Sequence, residues 1–139
     1  PAPALVTGFS YQSSQRERIL VPGCGYGHDV AWLAQQGFYA VGLDVSPLAI
    51  QHAQAQYAGP LAQFVEADFY AYDQPEAFHY LVDHTFFCTV AEQDIPAYLK
   101  AVYRLLKPGG LWWGIVWHHG ESGGPPYDRS PEQLRHWVD

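Results

Sequence analysis

Short apolar runs alternate with amphipathic stretches along almost the whole chain. Residues 18–22, Arg-Ile-Leu-Val-Pro, read as a strand. After it, Val30, Leu33 and Ala34 share one helical face, and Gly37 supplies a stop for a helix over 28–36. Residues 38–43 form a second strand. Ser46 and Pro47 give an N-cap and a first-turn proline to a helix reaching Tyr57, halted by Gly59 and Pro60. A third strand spans 62–67, with Asp68 at its tip. After a loop through 73–76, a fourth spans 78–82, with Asp83 at its tip.

The clearest helix carries Ile95, Tyr98, Leu99, Val102, Leu105 and Leu106 in one apolar stripe. Asp94 is placed to cap it, and Lys107-Pro108-Gly109-Gly110 to end it. An aromatic-rich fifth strand over 111–117 and a Gly-Pro loop over 120–128 follow. Ser130-Pro131-Glu132-Gln133 is then a capping box, ahead of an apolar face of Leu134, Trp137 and Val138. Alternation of strand and helix implies an α/β fold: a mostly parallel sheet with helices on both faces and right-handed crossovers.

In such a sheet, ligands bind outside the carboxyl ends of the strands. That edge carries the richest motif of the chain. The first strand empties into Gly23, Gly25 and Gly27, a turn that lets a ligand approach the main chain and opens onto a helix N-terminus. Asp44 ends the second strand, 19 residues after Gly25, where an acid suits ribose hydroxyls. Asp68 and Asp83 add two carboxylates to the same edge. Each feature alone has a plain structural explanation as a turn or cap residue; their order along one edge points to a nucleoside-containing cofactor.

Three carboxylates disfavour a pyrophosphate and favour a ligand with cationic groups. His28 also stands where the dinucleotide fingerprint wants its third glycine. S-adenosylmethionine, with its sulfonium and ammonium, therefore fits better than NAD. A nicotinamide-linked oxidoreductase remains the rival enzyme reading.

Composition narrows the partners. The 139 residues suit one domain with a real core, over 1–139, and 48% hydrophobic against 15% charged residues is a globular balance. A formal charge of −7 argues against nucleic acid. No run is long and apolar enough to span a membrane, and no leader pattern opens the sequence. Cys24 and Cys88 show neither a disulfide framework nor a zinc spacing, so a reducing cytoplasm is expected. His118 and His119 are adjacent and would point to opposite faces of a strand, which disfavours metal binding.

Several blocks together resemble the thiopurine S-methyltransferase superfamily, nearest its halide and thiocyanate methyltransferase branch. They are Val21-Pro22-Gly23-Cys24-Gly25, Val41-Gly42-Leu43-Asp44-Val45-Ser46, Ala67-Asp68-Phe69-Tyr70, Asp83-His84-Thr85-Phe86-Phe87-Cys88, Leu105 to Gly110, and Gly123-Gly124-Pro125-Pro126-Tyr127.

The resemblance implies a Rossmann-like class I methyltransferase sheet and S-adenosylmethionine as cofactor. It implies that Gly23, Cys24 and Gly25 pass the methionine part, that Asp44 holds the ribose, and that Asp68 with Phe69 contacts adenine. Asp83 and His84 would lie near the methionine moiety and the transferable methyl, and Tyr127 would line the acceptor pocket. Relatives extend beyond both ends of this sequence, which therefore looks like a partial member, stopping before a final strand pair. An uncovered fifth strand would invite homo-oligomerisation.

The implied chemistry is direct displacement of the sulfonium methyl by a small soft nucleophile: halide, thiocyanate, bisulfide or thiol. His84 and Tyr127 would orient this small-molecule acceptor, and neutral His84 would help deprotonate a thiol. The bland alternatives are a buried polar His84 and a loop-stiffening Tyr127. Phe86, Phe87, Trp112, Trp113 and Trp117 are expected in the core. The alternative function is an S-adenosylmethionine-binding module without turnover.

Overall fold

The computed structural model describes residues 17–138; the opening segment, where no leader pattern was read, lies outside them. The β-branched and apolar runs become five strands: β1 (Arg18–Pro22), β2 (Tyr39–Asp44), β3 (Ala62–Glu66), β4 (Phe78–His84) and β5 (Leu106–Ile115). They form one sheet in the order β3-β2-β1-β4-β5, and every pairing is parallel. Register brings Pro22 beside Leu43 and Asp44 beside Glu66, so the carboxyl ends of the strands share one edge.

Among the described residues, four α-helices pack with the strands: α1 (His28–Gln35), α2 (Pro47–Tyr57), α3 (Ile95–Leu105) and α4 (Pro131–Val138). Alternation along the strands sends Ile19, Val21 and Val82 into a core with Val30 and Leu33 of α1 and Ala53 of α2. Their neighbours Leu20, Val41, Leu43 and Leu81 face the opposite side, with Tyr98, Val102 and Leu105 of α3. Leu134 and Trp137 of α4 pack against that second core.

Local signals hold at most boundaries. The Ala49 N–H donates to Ser46 Oγ at 3.2 Å, capping α2. Ser130 and Gln133 form the reciprocal capping box, at 2.9 and 3.2 Å. Several boundaries differ from the sequence reading: β4 runs on through His84 rather than ending at 82, β5 ends at Ile115 rather than 117, and two further differences concern α3. Asp94 occupies the N-cap of α3 without a side-chain cap bond, because a 3-10 turn over Glu92–Asp94 leads into the helix instead. Residues 107–110 do not simply end α3: β5 begins at Leu106, and pairing jumps from Phe78–Leu106 to Tyr80–Leu111, so this tetrapeptide forms a bulge inside the strand.

Candidate active site

The glycine turn and Asp44 are built into each other. The Gly25 N–H donates to Asp44 Oδ2 at 2.9 Å, and the Ser46 N–H donates to Oδ1 at 2.9 Å. The Cys24 N–H donates to the Leu43 carbonyl at 2.8 Å, tying the turn to the end of β2. A carboxylate has about four acceptor positions, so two backbone donors orient Asp44 and leave capacity for hydroxyls.

A cavity of about 350 Å³ opens beside this clasp, lined by Gly23, Leu43, Asp44, Val45, Ala67, Asp68, Phe69, Tyr70 and Phe86. Asp68 is exposed and accepts from the Tyr70 N–H at 2.9 Å, a local turn that aims the loop after β3. Phe69 is buried, 3% exposed, and packs edge-on to Phe86 with centroids 5.6 Å apart. Gly23 has φ +60, and a Cβ there would meet Phe86 Cδ2 at 2.6 Å, so the wall has no space for a side chain.

Of the residues singled out in the sequence, Gly23, Asp44, Asp68 and Phe69 thus meet at one cavity, with Gly25 clasping Asp44 from behind. Cys24 turns the other way. Its sulfur packs where a Cβ on Gly42 would lie, at 2.7 Å. Burial, and secondarily the Asp44 charge, pushes its thiol up to about 12. It is a packing group with little thiolate character.

Asp83 and His84 part company for a simple reason: neighbours on a strand point to opposite faces. Asp83 is fully buried on the α3 side, with Tyr98 Oη donating to Oδ2 at 2.5 Å and the Phe87 N–H donating to both oxygens at 3.1 Å. Desolvation raises its pKa to about 6, against the opposing pull of those donors. His84 faces α1, where its Nδ1 lies 2.6 Å from Asp29 Oδ2. Neither lines the Asp44 cavity.

Tyr127 lines a different cavity of about 540 Å³, with Ala91, Glu92, Asp128, Arg129 and Gln133, which shares no residue with the first. Cys88 holds this loop: its carbonyl accepts from the Tyr127 N–H at 2.7 Å and its sulfur from the Trp117 N–H at 3.0 Å. Arg129 is 4% exposed, donates to the Val90 carbonyl, and sits against the rings of Phe87, Tyr127 and Trp137. Asp128 accepts from the N–H groups of His119 and Gly120, which with His118 lower its pKa to about 2.

Some of this was absent from the sequence reading. Nothing in the local sequence pattern marks Arg129, and the one signal for Asp29 is its place in the first turn of α1, directly after the glycine turn. Phe86 packs against the second core as expected and also walls the cavity, whereas Trp117, expected in the core, is 55% exposed. Among the described residues there is no cluster of metal-ligating side chains and no helix long and apolar enough to cross a membrane. His118 instead pairs with Asp128 at 3.0 Å, and both cysteines are free thiols.

A parallel sheet with a glycine turn clasped to an acid on the adjoining strand defines a Rossmann-like nucleoside-binding fold. The profile of the thiopurine S-methyltransferase family matches residues 2–138, and the chain belongs to that family. Thiocyanate methyltransferase 1 of Brassica oleracea is 41% identical over 118 residues, covering 79% of this chain and 51% of the relative. A probable thiol methyltransferase 2 of Arabidopsis thaliana is 35% identical over 135 residues, covering 94% and 60%. The chain therefore spans little more than half the length of these relatives. The phosphoethanolamine N-methyltransferase 2 of Haemonchus contortus, solved with S-adenosyl-L-methionine, shares the fold with a TM-score of 0.78 at 20% identity, covering 97% of this chain and 34% of that one.

Proposed function

We propose that residues 1–139 form an S-adenosylmethionine-dependent methyltransferase domain, acting on a small soft nucleophile such as a thiol, thiocyanate, bisulfide or halide. The clasp of Asp44 by the Gly25 and Ser46 N–H groups carries this reading, because it pre-orients a carboxylate at the rim of a cavity walled by Gly23 and Phe69. The cavity fits the cofactor in size, within the roughly 300–1,000 Å³ of small-molecule sites, and in chemistry. When bound, the cofactor supplies an electrophilic methyl on a sulfonium.

The chain's own residues then divide the work. Asp44 accepts from ribose hydroxyls, Asp68 and Phe69 hold adenine, and Gly23, Cys24 and Gly25 pass their backbone along the methionine part. Asp44 and Asp68 give this rim a negative field that favours a cationic ligand. Asp83 supports the site from below, through the loop that its carboxyl anchors at Phe87. His84 and Tyr127 orient the acceptor from β4 and the 120–128 loop. The names of the plant relatives support a sulfur nucleophile. Holding such a nucleophile in line within a near-attack geometry supplies most of the acceleration, several kcal/mol, without a strong base.

The test is a competition panel of iodide, thiocyanate, bisulfide and an aryl thiol with methyl-labelled cofactor, preceded by calorimetric binding. Label transfer to at least one acceptor is expected. Binding without transfer to any of them would leave a cofactor-binding module, and preference for NADH would overturn the cofactor assignment.

A further inference from the structure

We propose that Asp29 is a positioning residue that fixes His84 as the proton acceptor for thiol substrates. This extends the methyl-transfer reading and rests on it. His84 Nδ1 and Asp29 Oδ2 lie 2.6 Å apart, a short contact between residues 55 apart in sequence. Asp29 comes from the first turn of α1, immediately beyond the glycine turn, and its side chain is 12% exposed; that of His84 is 38% exposed. Asp29 is thus held in the protein while the His84 ring stays partly open to solvent.

The segment around His84 is pinned as well. The Thr85 hydroxyl donates to the His84 carbonyl at 2.6 Å, and its N–H donates to the Ile115 carbonyl of β5 at 3.0 Å. Thr85 adopts φ +64, an unusual conformation for a β-branched residue, held here at the tip of β4. Asp83, the other acid whose charge couples to His84, points to the far side of the sheet and engages Tyr98. Asp29 is thus the carboxylate in contact with the ring.

The chemistry follows from donor and acceptor rules. A carboxylate accepts only, so Nδ1 must carry the hydrogen, and neutral imidazole then keeps its lone pair on Nε2. A protonated thiol passes its proton to Nε2, and the resulting imidazolium is stabilised by Asp29. The freed sulfur pair forms the new S–CH3 bond as the sulfonium–methyl bond of the donor breaks, leaving that pair on the donor sulfur. Solvent later removes the proton from His84. Iodide and thiocyanate have no proton to lose and gain nothing from this step. The pair therefore widens the acceptor range from ready-made anions to thiols largely protonated at neutral pH.

Two readouts test this. Nitrogen-15 spectra of the cofactor-free protein should show His84 in the Nδ1–H form, and Asp29→Asn should redistribute the tautomers. In parallel, 2-mercaptoethanol and iodide are compared as acceptors. The ratio of thiol to iodide turnover should fall about 10- to 100-fold in Asp29→Asn, the range for losing a partner that orients a working histidine. His84→Gln should lower the same ratio, and the double variant should fall little further, because the two act as one unit. An Nε2–H tautomer in the native protein, or equal losses for both acceptors in each variant, would overturn the assignment while methyl transfer stands. So would a native protein that methylates iodide but not 2-mercaptoethanol. If neither acceptor is methylated, the methyl-transfer reading and this role fall together.

Discussion

The Tyr98 hydroxyl donates to Asp83 Oδ2 across 2.5 Å, joining the tip of β4 to the middle of α3 inside the second core. Both residues are fully buried, so this polar pair is enclosed by apolar packing and lies apart from the Asp44 cavity. Burial and the adjacent carboxyl in turn raise the Tyr98 pKa well above its usual value, keeping the hydroxyl a donor.

Asp83 should leave a signature in the pH dependence of stability. Its folded pKa, about 6, exceeds the ordinary value of 3.8. The folded state therefore holds the proton more tightly, and this group's contribution is fully present below about pH 4. It is lost as pH rises through about 6, a change on the order of 2–3 kcal/mol. Urea unfolding from pH 4 to 7 should show that fall, and Asp83→Asn should flatten it. An unchanged pH profile in the variant would assign the slope to other groups.

Tyr98→Phe removes the donor while leaving the ring in place. The buried carboxyl then loses its shortest hydrogen bond, at a cost of about 1–3 kcal/mol. The Asp83 titration should also move upward, since the hydroxyl now holds its pKa down. Unfolding midpoints and a pH series on the same variant report both effects.

Gly23→Ala should act on the cavity itself. The new Cβ would stand 2.6 Å from Phe86 Cδ2, at a backbone angle that disfavours side chains. Cofactor affinity should fall about tenfold or more, and melting should drop by a few degrees, as for a strained turn costing about 1 kcal/mol. Native-like affinity would show that Phe86 yields without consequence.

β5 lies at one edge of the sheet among the described residues, with Leu111 on it 61% exposed and Trp117, two residues past its end, 55% exposed. An edge of this character favours pairing with a second copy. Light scattering over a concentration series should give a rising mass, and Trp117→Lys should suppress it. A constant monomer mass would remove this expectation.

Much of the fold was legible because its signals are local. The alternation of strand and helix, the Ser46 cap, the Ser130–Gln133 box and the glycine turn ahead of Asp44 all act within a few residues or one βαβ step. The bulge over 107–110 was not, since only pairing with β4 extends strand conformation back to Leu106. The opposite fates of Asp83 and His84 follow from strand alternation, once β4 is known to run on through residue 84 rather than to end at 82. Asp29 was invisible as a partner of His84 because that contact joins α1 to β4 across the sheet. Arg129 was equally hidden, its nearest carbonyl lying 39 residues away at Val90.

The most direct test is calorimetric titration of S-adenosylmethionine into the native protein and Asp44→Ala. Removing a charge-assisted hydrogen bond worth roughly 1.5–3 kcal/mol should weaken binding at least tenfold. Equal affinities in the two proteins would contradict a ribose-holding role for Asp44 and the cofactor site built around it.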